Sequence, residues 1–277
     1  MAHPLNILVT NDDGIDSPGL FAVKRALDTC GRVAVIAPDQ NRSAIGRGIT
    51  IGESLNVDEI YFPDGSTGFS VDGTPVDCVR LASLGFLDWE PDIVVSGINL
   101  GPNLGDDITY SGTVAAAFEG VMLGLPAIAV SIERPGGWKA TGAEGIFHFD
   151  SVAAFTARMV EKILENHLPG TILLNVNSPN LPAGRIRGAE VTRLGKRIYR
   201  DELVEETDGD GPAGRKRYHI YGDDPSYHEE PGTDFHALSE RRISVTPIHF
   251  ALTNLAGMEI IRSWNVEHLL PQERDAH

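Results

Sequence analysis

Apolar residues in this chain follow two rhythms. Short, nearly unbroken runs at residues 6–10 (NILVT), 32–37 (RVAVIA), 92–96 (DIVVS), 127–132 (AIAVSI) and 171–176 (TILLNV) have the length and β-branched content of buried strands. Between them, residues 19–29, 76–87, 113–123 and 150–165 place apolar side chains at helical spacing. Strands that alternate with helices pair in parallel through right-handed crossovers. The pattern therefore predicts an α/β fold, a doubly wound, Rossmann-like and mostly parallel sheet.

The rhythm breaks in three places. Residues 49–73 are rich in Gly, Asp and Ser and read as short edge strands and turns. Residues 134–145 contain Pro135, Gly136 and Gly137 and read as a loop. After Pro179 the alternation stops. Residues 189–192, 217–221 and 243–250 are β-rich, residues 208–214 form a loop, and residues 255–269 predict a last helix. We expect an α/β catalytic core over residues 1–184 and a C-terminal extension of hairpins and helix over residues 185–277. Such an extension has little core of its own, so packing on a partner subunit is expected.

Charge narrows the partners. Lys and Arg number 23 against 39 Asp and Glu, a net charge of −16. A nucleic-acid polymer or an anionic membrane would be repelled at long range. A small phosphorylated ligand is not excluded, because a bound dication and local donors override the distant field. No apolar run approaches the roughly 20 residues that span a bilayer. The first ten residues lack a charged segment followed by an apolar one, so a cytoplasmic location is expected. Cys30 and Cys78 lie in apolar, helix-like runs and read as free thiols.

Ligands of open parallel sheets bind beyond the carboxyl ends of the strands. After the first strand comes Asn11-Asp12-Asp13-Gly14. Adjacent carboxylates behind a buried strand repel each other, and a hard cation relieves that repulsion; a plain Asx-type turn explains the same residues. After the second strand comes a polar loop in which Ser43 is a neutral oxygen donor and Arg42 a partner for phosphate, unless the loop is merely solvated. The third strand leads into Ser96-Gly97-Ile98-Asn99-Leu100-Gly101-Pro102-Asn103, where the amides offer oxygen to a metal and NH₂ to a phosphate. Tyr110-Ser111-Gly112-Thr113 opens a helix and reads either as an anion cradle or as an ordinary Ser111 N-cap. It lacks the Lys of a Walker A loop.

These segments, in this order, resemble the SurE survival-protein family of metal-dependent nucleotidases. Thr192-Arg193-Leu194-Gly195, Gly232-Thr233-Asp234-Phe235 and Ser244-Val245-Thr246-Pro247 add to the likeness. The resemblance implies one divalent cation, Mg²⁺ or Mn²⁺, on Asp12, Asp13, Ser43 and Asn99, and phosphate contacts at Asn103, Ser111, Gly112 and Thr113. It implies hydrolysis of nucleoside 5′- and 3′-monophosphates, sometimes of short polyphosphate, by a homodimer or homotetramer that exchanges C-terminal elements. The chain departs from the family's pattern at Arg241 and Arg242, where many relatives carry Gly, and in longer loops at residues 134–145 and 208–214.

On this reading the cation polarises a phosphoryl oxygen and activates water, while Asp13 takes the proton. His236 is a second candidate for proton transfer, against an ordinary structural role. The other histidines show no zinc spacing. An aspartyl-phosphate mechanism fits poorly, since it normally sets its carboxylates one residue apart. The remaining alternative is a nucleotide-binding regulator without turnover. Against it, carboxylates follow the first strand, where a phosphate binder would present Gly.

Overall fold

In the computed structural model, residues 5–137, 145–198, 201–206, 217–222 and 226–270 are described. Strands β1 (Asn6–Thr10), β2 (Arg32–Pro38), β5 (Ile93–Leu100), β6 (Ala127–Ile132) and β7 (Ile172–Ser178) alternate with helices α1 (Pro18–Leu27), α2 (Pro75–Leu81), α3 (Gly112–Met122) and α4 (Phe149–Glu165). Strands β3 (Val57–Tyr61) and β4 (Thr67–Val71) form the excursion expected at residues 49–73. Later elements are β8 (Ala189–Val191), β9 (Arg197–Ile198), β10 (Asp201–Glu206), β11 (Arg217–Gly222), β12 (Ser226–Tyr227), α5 (Asp234–Ser239), β13 (Ile243–His249) and α6 (Leu255–Arg262).

Among the described residues nine strands make one sheet in the order β3-β4-β2-β1-β5-β6-β7-β13-β8. The run from β4 to β7 is parallel throughout. β3 and β13 run antiparallel to β4 and β7. Both faces are covered, and successive strand residues part to opposite sides. Ile7 and Val9 join α1 and α4 in one core, while Leu8 joins α2 and α3 in the other. The chain winds outward from β1 through β2 and later from β1's other side through β5, so the strand order reverses between β1 and β5. That reversal opens a crevice at the carboxyl ends of these two strands.

β5 is irregular where it meets the crevice. Its register with β6 shifts between Ser96 and Asn99. Gly97 sits at φ 135°, and a Cβ there would stand 2.2 Å from the Val130 carbonyl oxygen. A bulge of this kind re-aims the residues beyond it; here those residues are Asn99 and Leu100.

Several expectations are corrected. The helix expected at residues 76–87 ends at Leu81 and continues as a π-helical turn, Ala82–Phe86, because Gly85 takes φ 90°. Leu84 is exposed, so the apolar pattern there did not mark a buried face. The last helix stops at Arg262, and Asn265 turns left-handed before a short 3₁₀ turn, Val266–His268. The segment after residue 185 is not wholly appended: β13 and β8 extend the main sheet, while β10 and β11 form a separate hairpin. Arg241 adopts φ 59°, the left-handed region that a Gly would occupy without strain. The loop expected at residues 208–214 lies outside the described residues, as does most of the patch at residues 134–145.

Gly97→Ala tests the bulge. The added methyl meets backbone, so we expect unfolding stability to fall by about 1–3 kcal/mol in urea titration. An unchanged midpoint would contradict the close approach.

Candidate active site

A cavity of about 490 Å³ opens at the crevice, lined by Asp12, Ser43, Asn99, Asn103 and Ser111 among others. Five of the residues expected from sequence therefore line one cavity. Asp13, Gly112 and Thr113 do not line it: Gly112 and Thr113 lie against Asp12, and Asp13 binds the Leu100 N–H.

Asp12 is buried at the end of β1. The Thr113 hydroxyl donates to its Oδ1 at 2.5 Å. Burial pushes its carboxyl pKa up, against the hydroxyl of Thr113 and the backbone N–H groups of Thr113 and Gly112, which pull it down. The helix start expected to cradle an anion thus holds one supplied by the chain itself. Gly112 allows the approach: a Cβ there would lie 2.7 Å from the Asp12 Cβ and 2.9 Å from Oδ2. Ser111 caps the same helix, its Oγ accepting the Val114 N–H at 3.1 Å.

Asp13 accepts the Leu100 N–H at Oδ2, 3.0 Å away. Burial, then the neighbouring Asp12 charge, push its pKa up to about 6; Leu100 and the Arg134 charge oppose this. Asn99 Nδ2 donates to the Gly101 carbonyl at 2.6 Å, which leaves its Oδ1 as the available end of the amide. Ser43 sits in a loop fixed at three points. The Asn41 side chain accepts the Ser43 N–H at 2.8 Å, the Gly46 N–H reaches the Tyr110 carbonyl at 3.0 Å, and Arg47 pairs with buried Glu119 of α3 at 2.5 Å. Arg42 goes elsewhere than expected. Its guanidinium binds Asp39 at 3.1 Å and the Asp72 carbonyl at 2.7 Å, and it does not line the cavity.

Asn103 is the most tightly held. Its N–H donates to Asn177 Oδ1 at 2.7 Å and its Nδ2 to Ser131 Oγ at 2.8 Å. Its carbonyl accepts from Asn175 and Asn177, each at 2.9 Å.

The donors offered here to a cation are all oxygens: two carboxylates, one hydroxyl and one amide. That set suits a hard divalent ion, and the two raised carboxyl pKa values mark negative charge that the fold alone does not neutralise.

A family model described as Survival protein SurE matches residues 7–201. The chain belongs to this SurE family. Among its relatives, the protein named 5′-nucleotidase SurE from Rubrobacter xylanophilus is 52% identical over 267 residues, covering 96% of this chain and 99% of that one. The one from Geobacter sulfurreducens is 47% identical, covering 97% of each chain. The crystal structure of the SurE protein from Aquifex aeolicus superposes with a TM-score of 0.79 at 41% identity, covering 94% of this chain and 99% of that one.

Sequence reasoning missed other residues of this cavity. Arg134, Arg197, Asp107 and Phe235 also line the cavity, and Arg197 pairs with Asp107. Arg197 and Phe235 come from the segment after residue 185. Asn175, Asn177 and Ser131 were legible only as polar interruptions in strands otherwise buried on both faces. Buried Asp234 was marked by resemblance alone. Its carboxylate accepts the N–H groups of Gly105 and Gly195, each at 2.8 Å, and so ties that segment to the cavity wall. His236 of α5 is half-buried and does not line the cavity.

The raised carboxyls predict a pH-dependent response to cations. Without an ion, the folded chain holds protons at Asp12 and Asp13 that the unfolded chain releases near 3.8. Ion-free stability therefore falls as pH rises from near 3.8 through about 6. We expect the Tm gain from Mn²⁺ to be larger at pH 7 than at pH 5, and to shrink in Asp13→Asn. A gain that does not vary with pH would contradict this.

Proposed function

We propose that this chain is a divalent-metal-dependent 5′-nucleotidase that releases phosphate from nucleoside 5′-monophosphates. The observation that carries the reading is the buried, helix-held carboxylate of Asp12, presented to a polar cavity beside the Ser43 and Asn99 oxygens. The names of the relatives support the same activity. 3′-Monophosphates and short polyphosphate present the same oxyanion and fall within the reading.

Asp12, Asp13, Ser43 and Asn99 would hold one Mg²⁺ or Mn²⁺. When bound, such an ion polarises a phosphoryl oxygen and lowers the pKa of water. The chain's own residues do the rest. Asn103, rigid in its clamp of Asn175, Asn177 and Ser131, carries a second Nδ2 hydrogen for a phosphoryl oxygen. Ser111 Oγ accepts from Val114 and has its own hydrogen to donate. Gly112 and Thr113 act through Asp12, whose position they set. Asp13, held in place by the Leu100 N–H, is the carboxylate assigned to take the proton from water.

We further propose that the protein works in the cytoplasm as a homodimer or homotetramer. No helix among the described residues is long and apolar enough to cross a membrane. The C-terminal end supports assembly: α6 buries none of its residues, and Leu255, Ile260 and Ile261 are exposed along it. A second copy covering this face would bury it. Light scattering should then give a multiple of the chain mass of 29.9 kDa; a single-chain mass at micromolar concentration overturns the assembly.

The activity is tested with AMP and GMP. The wild type should release phosphate in excess Mg²⁺ or Mn²⁺ and stop when chelator is added. Asp12→Asn should lower kcat by roughly 100-fold or more, since it removes a charge held at the reacting centre. Release that persists in chelator, or full activity in Asp12→Asn, rules the mechanism out. Nucleotide binding without any release would favour the regulator.

A further inference from the structure

We propose that Arg47 is a positioning residue for Ser43: anchored on the buried Glu119 carboxylate of α3, it fixes the loop that presents the Ser43 oxygen to a divalent cation. The inference rests on the metal-dependent reading of the site and names the group behind Ser43 that keeps it in place.

Residues 39–50 follow β2 and join neither a helix nor a strand. Both ends of this loop are tied. At its start the Arg42 N–H donates to the Asp12 carbonyl at 2.7 Å, one residue before Ser43. At its end the Thr74 hydroxyl donates to the Gly48 carbonyl at 2.9 Å, and the Thr50 N–H and hydroxyl donate to the Asp77 carboxylate at 3.0 and 2.7 Å. The middle is strained. Ala44, which lines the cavity beside Ser43, takes φ 58°, in the left-handed region that a side chain disfavours. Such a conformation persists only where its surroundings hold it.

Arg47 supplies that hold. Its Nη2 meets Glu119 Oε2 at 2.5 Å. The guanidinium also lies over the Phe250 ring, 5.0 Å from its centroid. Phe250 in turn packs edge-on against Phe118 of α3, with 5.0 Å between centroids. Arg47 is thus held between a buried carboxylate and an aromatic face that both belong to, or rest on, α3. The first turn of the same helix receives Asp12 through Thr113. One rigid element therefore fixes Asp12 at its start and the Ser43 loop through Glu119, and so sets the spacing between two of the proposed cation ligands.

A natural control exists. Glu119 Oε1 binds Arg80 of α2 at 2.7 Å, and Arg80 is not part of the loop. Removing either arginine leaves Glu119 paired with the other, so neither change strands a buried charge. Only loss of Arg47 frees Ser43.

The test uses Arg47→Met, Arg47→Lys and Arg80→Met in the full chain. Three quantities are measured: Mn²⁺ affinity by calorimetry without nucleotide, amide hydrogen exchange at residues 43–47 without metal, and AMP hydrolysis across a Mn²⁺ titration. We expect Arg47→Met to weaken Mn²⁺ binding by about tenfold, and to raise the Mn²⁺ needed for half-maximal phosphate release by a like factor. Exchange at residues 43–47 should quicken. Arg47→Lys keeps the charge and should recover part of the loss. Arg80→Met should keep Mn²⁺ affinity within about twofold of wild type, even where its Tm falls. Mn²⁺ affinity within about twofold of wild type in Arg47→Met would overturn the proposal. So would an equal loss in Arg80→Met, which would mark a general loss of stability. A wild type that binds Mn²⁺ yet hydrolyses no nucleotide would defeat the nucleotidase reading alone; the contrast between the two arginines would still support the positioning role.

Discussion

A carboxylate buried against the start of a helix is the interaction on which the rest of this site depends. Asp12 leaves β1 pointing into α3, where the Thr113 hydroxyl and the first N–H groups receive it. Those donors favour the ionised form, and burial opposes it; burial is the larger effect. Asp13 adds a second charge beside the first. The fold therefore concentrates negative charge at the sheet's switch point and leaves part of it uncompensated. A divalent cation is the simplest group that resolves this, and the surrounding hydroxyl and amide oxygens suit it.

The sheet and the pocket are linked by the same economy of backbone. The bulge in β5 at Gly97 and Ile98 shifts the register at which Asn99 and Leu100 rejoin β6, and Leu100 joins Asp13 to Arg134. The asparagines of β7 reach across to clamp Asn103. Asp234 ties the chain at Gly195 to the loop at Gly105, which brings Arg197 and Phe235 to the cavity. The segment after residue 185 thus completes a site whose centre lies in the first half of the chain.

Much of this was legible before the structure. The β-branched runs marked the parallel strands because both faces of the sheet are covered. The polar residues directly after those runs marked the crevice because a doubly wound sheet must bind there. Three things were hidden. The role of Gly112 and Thr113 depends on a contact with Asp12 from a distant element, which no local pattern encodes. Arg42 lies in the expected loop, but its commitment to Asp39 and the Asp72 carbonyl joins segments far apart in sequence, which no local pattern encodes. The ends of α2 and α6 were overrun because exposed apolar residues, such as Leu84 and Leu269, continued a helical rhythm without a buried face.

The Asp12 and Asp13 pair is expected to hold a cation in the crevice. Anomalous diffraction from crystals grown with Mn²⁺ tests it most directly. We predict one strong peak in the crevice, bounded by the Asp12, Asp13, Ser43 and Asn99 oxygens. It should be absent in Asp12→Asn crystals grown in the same way. A crevice without a peak, or a peak bound elsewhere while the protein retains Mn²⁺-dependent phosphate release, would contradict the account.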